Sequence, residues 1–333
     1  MTVLRALTLA IGLLFAPAPA LAAPPATMKA VRLSAYGPAE NLKLEEIPTP
    51  TPGKGDVLIK VYAAAVNPVD WKIRDGKFPL LKLPATLGFD VSGVVETVGE
   101  GAPRFKPGDE VYVYLPLARA GGYAEYALAS EKDVAKKPAK VDHVHAAAVP
   151  LAGLTAWQAL FDQAGLKEGQ SVLIHAGAGG VGHFAVQFAH ARGARVYATA
   201  SESNQAFLKE LGADVVIDYK SQKFEDIAKD VDVVLDSIGG ETQARSLGCV
   251  KKGGTLVSIV GMPDQAKCKD LGITGKAFLV QPNADQLATI ATMIDEGKLK
   301  PHVSEQIPLA DAAKAHQLSE TGRTKGKIVL TVR

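Results

Sequence analysis

Cysteine is nearly missing from this chain of 333 residues: Cys249 and Cys268 are the only two. With none before Cys249, the earlier part of the chain can build neither a disulfide framework nor a four-cysteine metal loop. Cys249 falls in a predicted helix and Cys268 in a predicted loop, so two unpaired thiols are expected rather than a bridge. An excess of one charge is also lacking, since 37 basic and 35 acidic residues leave a net charge of +2. No long basic run interleaves with the aromatics, which make up only 6% of the chain, so nucleic acid is not an expected partner. The short string Arg323-Thr324-Lys325-Gly326-Lys327 reads as a solvated loop, or as one that faces a phosphate. Neither an internal repeat nor a coiled-coil heptad is present. What remains is an ordinary globular composition, 47% apolar and 22% charged, with room for two domains.

The N-terminus also lacks a hydrophobic run long enough to span a bilayer. Arg5 precedes an apolar stretch from Ala6 to Phe15, and Ala20-Leu21-Ala22 closes the segment. That order is an n-region, an h-region and an A-x-A cleavage site. It predicts a signal peptide over residues 1–22, cleavage after Ala22, export to the periplasm or beyond, and no stable membrane anchor. The rival reading, a cytoplasmic chain translated from Met28, stays open.

The most informative stretch that is present runs Val172-Leu173-Ile174-His175-Ala176-Gly177-Ala178-Gly179-Gly180-Val181-Gly182. It reads as a buried strand, a glycine turn and the start of an amphipathic helix from Val181 to about Arg192. Gly177, Gly179 and Gly182 fit G-x-G-x-x-G: one for the tight turn, one for close approach of a pyrophosphate, one for helix–strand packing. The helix N-terminus adds free N–H groups and partial positive charge. From Val149 onward strands and helices alternate: strands Ser171–Ala176, Arg195–Ala200, Val215–Asp218, Val231–Leu235 and Thr255–Val260, with helices at 204–211, 224–228 and 242–250. That rhythm predicts a doubly wound parallel sheet. Before it, Met28–Ser34, Leu42–Ile47, Val57–Val66, Asp90–Val98 and Glu110–Leu115 are strands with turn punctuation, an antiparallel, barrel-like pattern. After it come a helix at 285–296 and strand character at Ile307-Pro308-Leu309 and Lys327–Val332.

Several further motifs lie in one order along the chain: Met28-Lys29-Ala30-Val31-Arg32, Asn67-Pro68-Val69-Asp70, Leu87-Gly88-Phe89-Asp90-Val91-Ser92-Gly93, Lys106-Pro107-Gly108-Asp109, Gly122-Tyr123-Ala124-Glu125-Tyr126 and Gly326-Lys327-Ile328-Val329-Leu330. With Gly169-Gln170 and Gln187 around the glycine run, the chain from Met28 to Arg333 resembles the quinone oxidoreductase (zeta-crystallin-like) branch of the medium-chain dehydrogenase/reductases. The resemblance implies a Rossmann-type α/β domain inserted in a GroES-like, mostly antiparallel β catalytic domain: residues 28–148 catalytic, 149–282 cofactor-binding, and 283–333 returning to the catalytic part.

The resemblance also implies a nicotinamide cofactor. NAD-specific sites end their second strand with a carboxylate on the ribose. Here the strand ends Tyr197-Ala198-Thr199-Ala200-Ser201, so Ala200 or Ser201 fills that slot and NADPH is expected, with Tyr219 and Lys220 completing the pocket. Glu202, one step along, argues the other way, and Gln205 replaces a frequent lysine. The expected cofactor contacts are Thr155, Gly177, Ala178, Gly179, Gly180, Val181, Gly182, Ser201, Tyr219, Lys220, Ser237, Val260 and Lys325. Ser237 lies in Asp236-Ser237-Ile238-Gly239-Gly240 at the sheet rim, and Thr155 and Trp157 are placed at the start of a helix under the cleft. Zinc-dependent relatives carry Cys and His where this chain has Asn67 and Phe89, so no metal is expected. His143 and His145 read as helix-entry surface residues. Asn67 is implied beside the nicotinamide ribose, with Asp70 and Lys72 lining the same cleft. Lys72 is the best cation for a developing enolate, and Tyr62 and Tyr123 are possible donors. The expected activity is hydride transfer to quinones or α,β-unsaturated carbonyls, with such a small molecule as the main partner and a homodimer as the assembly to test. The alternative is an exported nicotinamide-binding protein with little catalysis.

Overall fold

The computed structural model describes residues 23–333; the predicted signal segment, residues 1–22, lies outside them. Six parallel strands form one sheet in the order Val215–Asp218, Arg195–Ala200, Ser171–Ile174, Val231–Asp236, Val250–Ser258 and Thr274–Ala277. Its central strand is a continuous apolar run because both faces are covered: Val172, Leu173 and Ile174 are fully buried. The chain first builds outward from Ser171–Ile174 on one side and then returns to its other side with Val231–Asp236. That reversal makes a topological switch point, where open sheets of this kind bind ligands beyond the strand C-termini.

The helix after the glycine turn, Gly182–Ala191, is less amphipathic than the sequence implies, for every residue from Gly182 to Ala189 is buried. One side rests on the sheet, and Phe188 on the other meets Trp157 and Phe161 edge to face at 5.4 and 6.2 Å. Thr155 and Trp157 end a helix, Pro150–Trp157, rather than open one. Pro150 at the first helical position is the overlooked start signal. Cys268 sits in the helix Gln265–Leu271, not in a loop, and both thiols are buried and unpaired. Val260 falls beyond its strand, which ends at Ser258, and therefore lies in the rim loop.

The other strands form two sheets: a three-stranded antiparallel one of Leu42–Pro48, Thr27–Leu33 and Ala85–Thr86, and a seven-stranded, mostly antiparallel one built on Asp56–Val66. This long strand pairs with Asp90–Val98 along one edge and shares the other between Tyr126–Ser130, beside its residues 56–60, and Lys327–Thr331, beside its residues 63–66. The last of these is the chain's C-terminal strand, itself parallel to Val303–Pro308. Thus the tail crosses back to the N-terminal sheet, passing the glycine turn on its way. Among the described residues, no helix is long and apolar enough to cross a membrane.

The third glycine of the fingerprint is required for this packing. A Cβ on Gly182 would lie 2.2 Å from the Ala176 carbonyl oxygen and 2.7 Å from Gly177 Cα, whereas one on Gly179 would meet only the Ala176 oxygen, at 3.2 Å. Gly182→Ala should therefore lower the urea midpoint by the equivalent of about 1–3 kcal/mol, while Gly179→Ala should leave it near wild type. Equal midpoints for the two variants would show that helix and strand do not need this close approach.

Candidate active site

At the rim of the parallel sheet, the glycine turn is held from three sides. Ala176 takes a left-handed conformation (φ +48°), and its carbonyl accepts from the Gly179 N–H at 2.9 Å. Gly177 N–H donates to the Thr199 carbonyl at 2.9 Å, and a Cβ there would press on Ala198 and Leu208. From below, His183 Nδ1 donates to the Gly179 carbonyl at 3.0 Å while its Nε2 accepts the His302 N–H at 3.3 Å. Burial pushes the His183 pKa down to about 3, so the ring is neutral and its two bonds fix the tautomer. From the side, the Gly326 N–H donates to the Ala178 carbonyl at 2.8 Å. Gly179, Gly180 and Val181 stay partly exposed on the remaining side. That surface is an open cradle of backbone at a helix start, fit for a phosphate.

The neighbouring strand ends bring the expected nucleotide contacts together. Ser201 follows Arg195–Ala200, and its Oγ lies 3.1 Å from Ser203 Oγ and 3.2 Å from Asn204 Nδ2. The Tyr219 N–H reaches the Ala200 carbonyl at 3.3 Å, and both Tyr219 and Lys220 are exposed. Lys325 approaches the same corner from the C-terminal segment, its ammonium 4.9 Å above the Phe207 ring in the helix after Ser201. Across the rim, the buried Asp236 carboxylate accepts from the N–H groups of Ile238 and Gly239 at 3.0 and 2.8 Å, and from Ser258 Oγ at 2.8 Å. Asp236 thus shapes the loop. It holds Ser237, whose hydroxyl donates to the His175 carbonyl, and Gly239, which packs against the exposed Val260. Thr155 departs from expectation: it is buried, and its hydroxyl donates to the Leu151 carbonyl within its own helix.

Beyond the turn lies a buried polar cluster. Asn67 caps the helix Pro68–Arg74, and its backbone N–H donates to Asp70 Oδ2 at 2.7 Å; Gly88 N–H donates to Asp70 Oδ1 at 3.1 Å. Asp70 is fully buried, so the expectation that it lines the cleft is corrected: its carboxylate ties a helix start to the loop before Asp90. Asn67 Nδ2 donates to Asp90 Oδ2 at 2.9 Å, and Asn67 Oδ1 accepts from Lys327 Nζ. Asp90 also takes the Leu151 N–H at 2.7 Å and has the Lys327 ammonium 3.4 Å away. Burial drives the Asp70 pKa up to about 7, with the Asp90 charge adding to the rise and Lys327 opposing it. It likewise raises Asp90 and lowers Lys327, each against the attraction of the other.

The remaining expected donors lie apart from the Asn67 amide. Lys72 is half-buried, with its ammonium 5.6 Å from the Trp71 ring and no bond to the cluster. Tyr62 stacks on His143, which bonds Ser92 Oγ at 2.8 Å and faces Glu110, so His143 is a packed residue rather than a surface one. Tyr123 is fully buried, its hydroxyl beside Asp70 and 3.3 Å from His316 Nε2. A cavity of about 410 Å³ lined by Arg32, Ile47 and Leu128 among others includes no residue of the turn or the cluster.

Comparison with known proteins places this geometry. Residues 53–139 match the alcohol dehydrogenase GroES-like domain, and residues 211–330 match a zinc-binding dehydrogenase domain. The chain is 39% identical to the 2-methylene-furan-3-one reductase of Solanum lycopersicum, over 92% of this chain and 79% of that protein. It is 35% identical to the Homo sapiens quinone oxidoreductase, over 91% and 97%. The structure of the quinone oxidoreductase from Coxiella burnetii superposes with a TM-score of 0.87 at 39% identity, covering 92% of this chain and all of that one. The chain belongs to the quinone oxidoreductase branch of the medium-chain dehydrogenase/reductases. Zinc appears in the description of one matched domain, yet the donors here do not suit it. Asn67 offers an amide already bonded at both ends, and Phe89 is a fully buried hydrocarbon ring. Among the described residues, no three His, Cys, Asp or Glu side chains are grouped to hold a metal.

The raised Asp70 pKa has a consequence for stability. The folded chain keeps this proton up to about pH 7, whereas the unfolded chain releases it near 3.8. Stability from this group is therefore present below 3.8 and lost as pH rises through 7. The difference in urea-unfolding free energy between wild type and Asp70→Asn should fall across that window and level off above it. A difference that stays flat from pH 3.8 to 7 would show that Asp70 is ionised throughout.

Proposed function

We propose that this protein is an NADPH-dependent, zinc-independent reductase of quinones or α,β-unsaturated carbonyl compounds. The observation that carries the reading is the crevice itself: an open glycine cradle faces the catalytic part where Asn67 stands in place of a zinc thiolate. NADPH, when bound, supplies the hydride. The protein's share is to bind, to orient and to keep water away. The backbone N–H groups of the turn and the start of Gly182–Ala191 suit the pyrophosphate. Ser201, Tyr219, Lys220 and Lys325 gather hydroxyls and positive charge at the strand end that lacks a carboxylate, which favours a 2′-phosphate. Ile238 and Val260, both exposed at the rim, offer apolar wall for a flat acceptor. Lys72 is the cation proposed to meet negative charge developing on the acceptor oxygen.

The reading is tested by following NADPH absorbance with a panel of quinones and conjugated enals. Turnover with at least one class is expected, and none with simple alcohols plus NADP+. Ser201→Asp should then shift preference toward NADH, each lost charge-assisted bond costing about 1.5–3 kcal/mol. Wild-type protein that binds NADH as tightly as NADPH would assign selection to Glu202 instead.

We further propose that the chain is exported. The order of Arg5, the apolar run from Ala6 to Phe15 and Ala20-Leu21-Ala22 supports this. Protein recovered from cells should begin at Ala23 in the periplasmic or extracellular fraction. A cytosolic chain beginning at Met28 would reject export.

A further inference from the structure

We propose that Lys327 is a positioning residue for hydride transfer: its ammonium holds the Asn67 amide in one orientation and fastens the catalytic cluster to the glycine turn. The inference rests on the reductase reading above and adds to it a residue that the sequence placed at the join of a basic loop and the closing strand, with no role at the site. Four observations support it. First, Lys327 is 3% exposed, and its ammonium donates to Asn67 Oδ1. Second, an amide can be set into a site two ways, and here only one works. A donor-only ammonium sits at its oxygen, and an acceptor-only carboxylate, Asp90, at its nitrogen. Third, Lys327 touches both halves of the crevice. Its Cδ lies 3.3 Å from where a Cβ on Gly180 would stand, and its own N–H donates to the His302 carbonyl at 2.9 Å. His302 in turn bonds His183 under the turn, and Gly326 bonds Ala178 in it. Fourth, a buried lysine–carboxylate pair returns little net stability, because desolvating two charges offsets their attraction. Stability alone is therefore a weak reason for this pair, and orientation is the task its geometry serves.

The test uses the mature protein and two variants. Lys327→Met keeps the length of the side chain and removes the charge; Lys327→Met combined with Asp90→Asn removes the charge partner as well. Expected for both is a dissociation constant for NADPH close to wild type with a kcat lowered about 100-fold, the cost of a displaced reacting geometry. Thermal unfolding should show the double variant recovering stability that the single variant loses. A double variant that regains wild-type kcat would mean that Lys327 only balances the Asp90 charge, which overturns the proposal. If the single variant does not fold, the double variant carries the comparison alone. A second readout does not depend on turnover: the Asn67 side-chain amide, assigned in 15N spectra by its loss in Asn67→Asp, should be protected from hydrogen exchange in wild type and unprotected in Lys327→Met, where Asp90 is still in place to accept from it. Retained protection would reject the role of Lys327 even if no acceptor were turned over, whereas lost protection without wild-type turnover would sink only the reductase reading.

Discussion

An ammonium group shut away from water must be given acceptors, and around Lys327 that requirement sets the positions of distant parts of the chain. Its partners are Asn67 and Asp90, one opening the helix Pro68–Arg74 and the other opening the strand Asp90–Val98. Asp90 then takes the N–H of Leu151 near the start of Pro150–Trp157, the helix that packs against Gly182–Ala191. A single buried cation thus couples the C-terminal strand, two helix starts and the antiparallel sheet. The glycine turn is bound to the same point through Gly326 and His302. The C-terminal return of the chain makes this possible, since Gly326 touches the glycine turn just before the chain enters its strand in the other sheet.

Where the sequence was legible, one residue type had one physical use. Gly182 is needed because any side chain meets the Ala176 carbonyl, so the fingerprint identified the turn and its packing together. The strands Asp90–Val98 and Arg195–Ala200 were readable to the residue from their apolar runs. Asp70 was misread for an instructive reason. Its motif, Asn67-Pro68-Val69-Asp70, has a helix-capping residue followed three positions later by an acid, and the structure uses it as a cap. The local capping signal in this motif is therefore the one the fold obeys.

Lys327 was hidden for a different reason. Lysine is rarely buried unless paired, and its near neighbours Arg323 and Lys325 are not buried, so the string reads as solvent-facing. The partner that permits burial, Asp90, lies far away in sequence. One weak signal existed in both places. Lys327 opens the apolar strand Ile328-Val329-Leu330, and Asp90 opens a strand continued by Val91, Val94 and Val95. Two opposite charges, each leading an apolar strand, suit a buried pair at one end of a sheet, but no single window contains both.

The same network limits which acceptors the site can serve. Oxidising a simple alcohol calls for a group that polarises the hydroxyl oxygen, the task a zinc ion performs as a Lewis acid. Asn67 cannot take over that work, because its oxygen is occupied by Lys327 and its nitrogen by Asp90. His183 is neutral and bonded at both ring nitrogens, so it has no proton to give near neutral pH. With the Asn67 amide occupied at both ends and the His183 imidazole neutral, Lys72 is left to meet the charge, and the acceptor must carry most of the stabilisation of the anion that hydride addition creates. Quinones and conjugated carbonyls do so by delocalising charge onto an oxygen remote from the attacked carbon. A site organised to hold geometry, rather than to polarise a bond, is matched to acceptors of that kind.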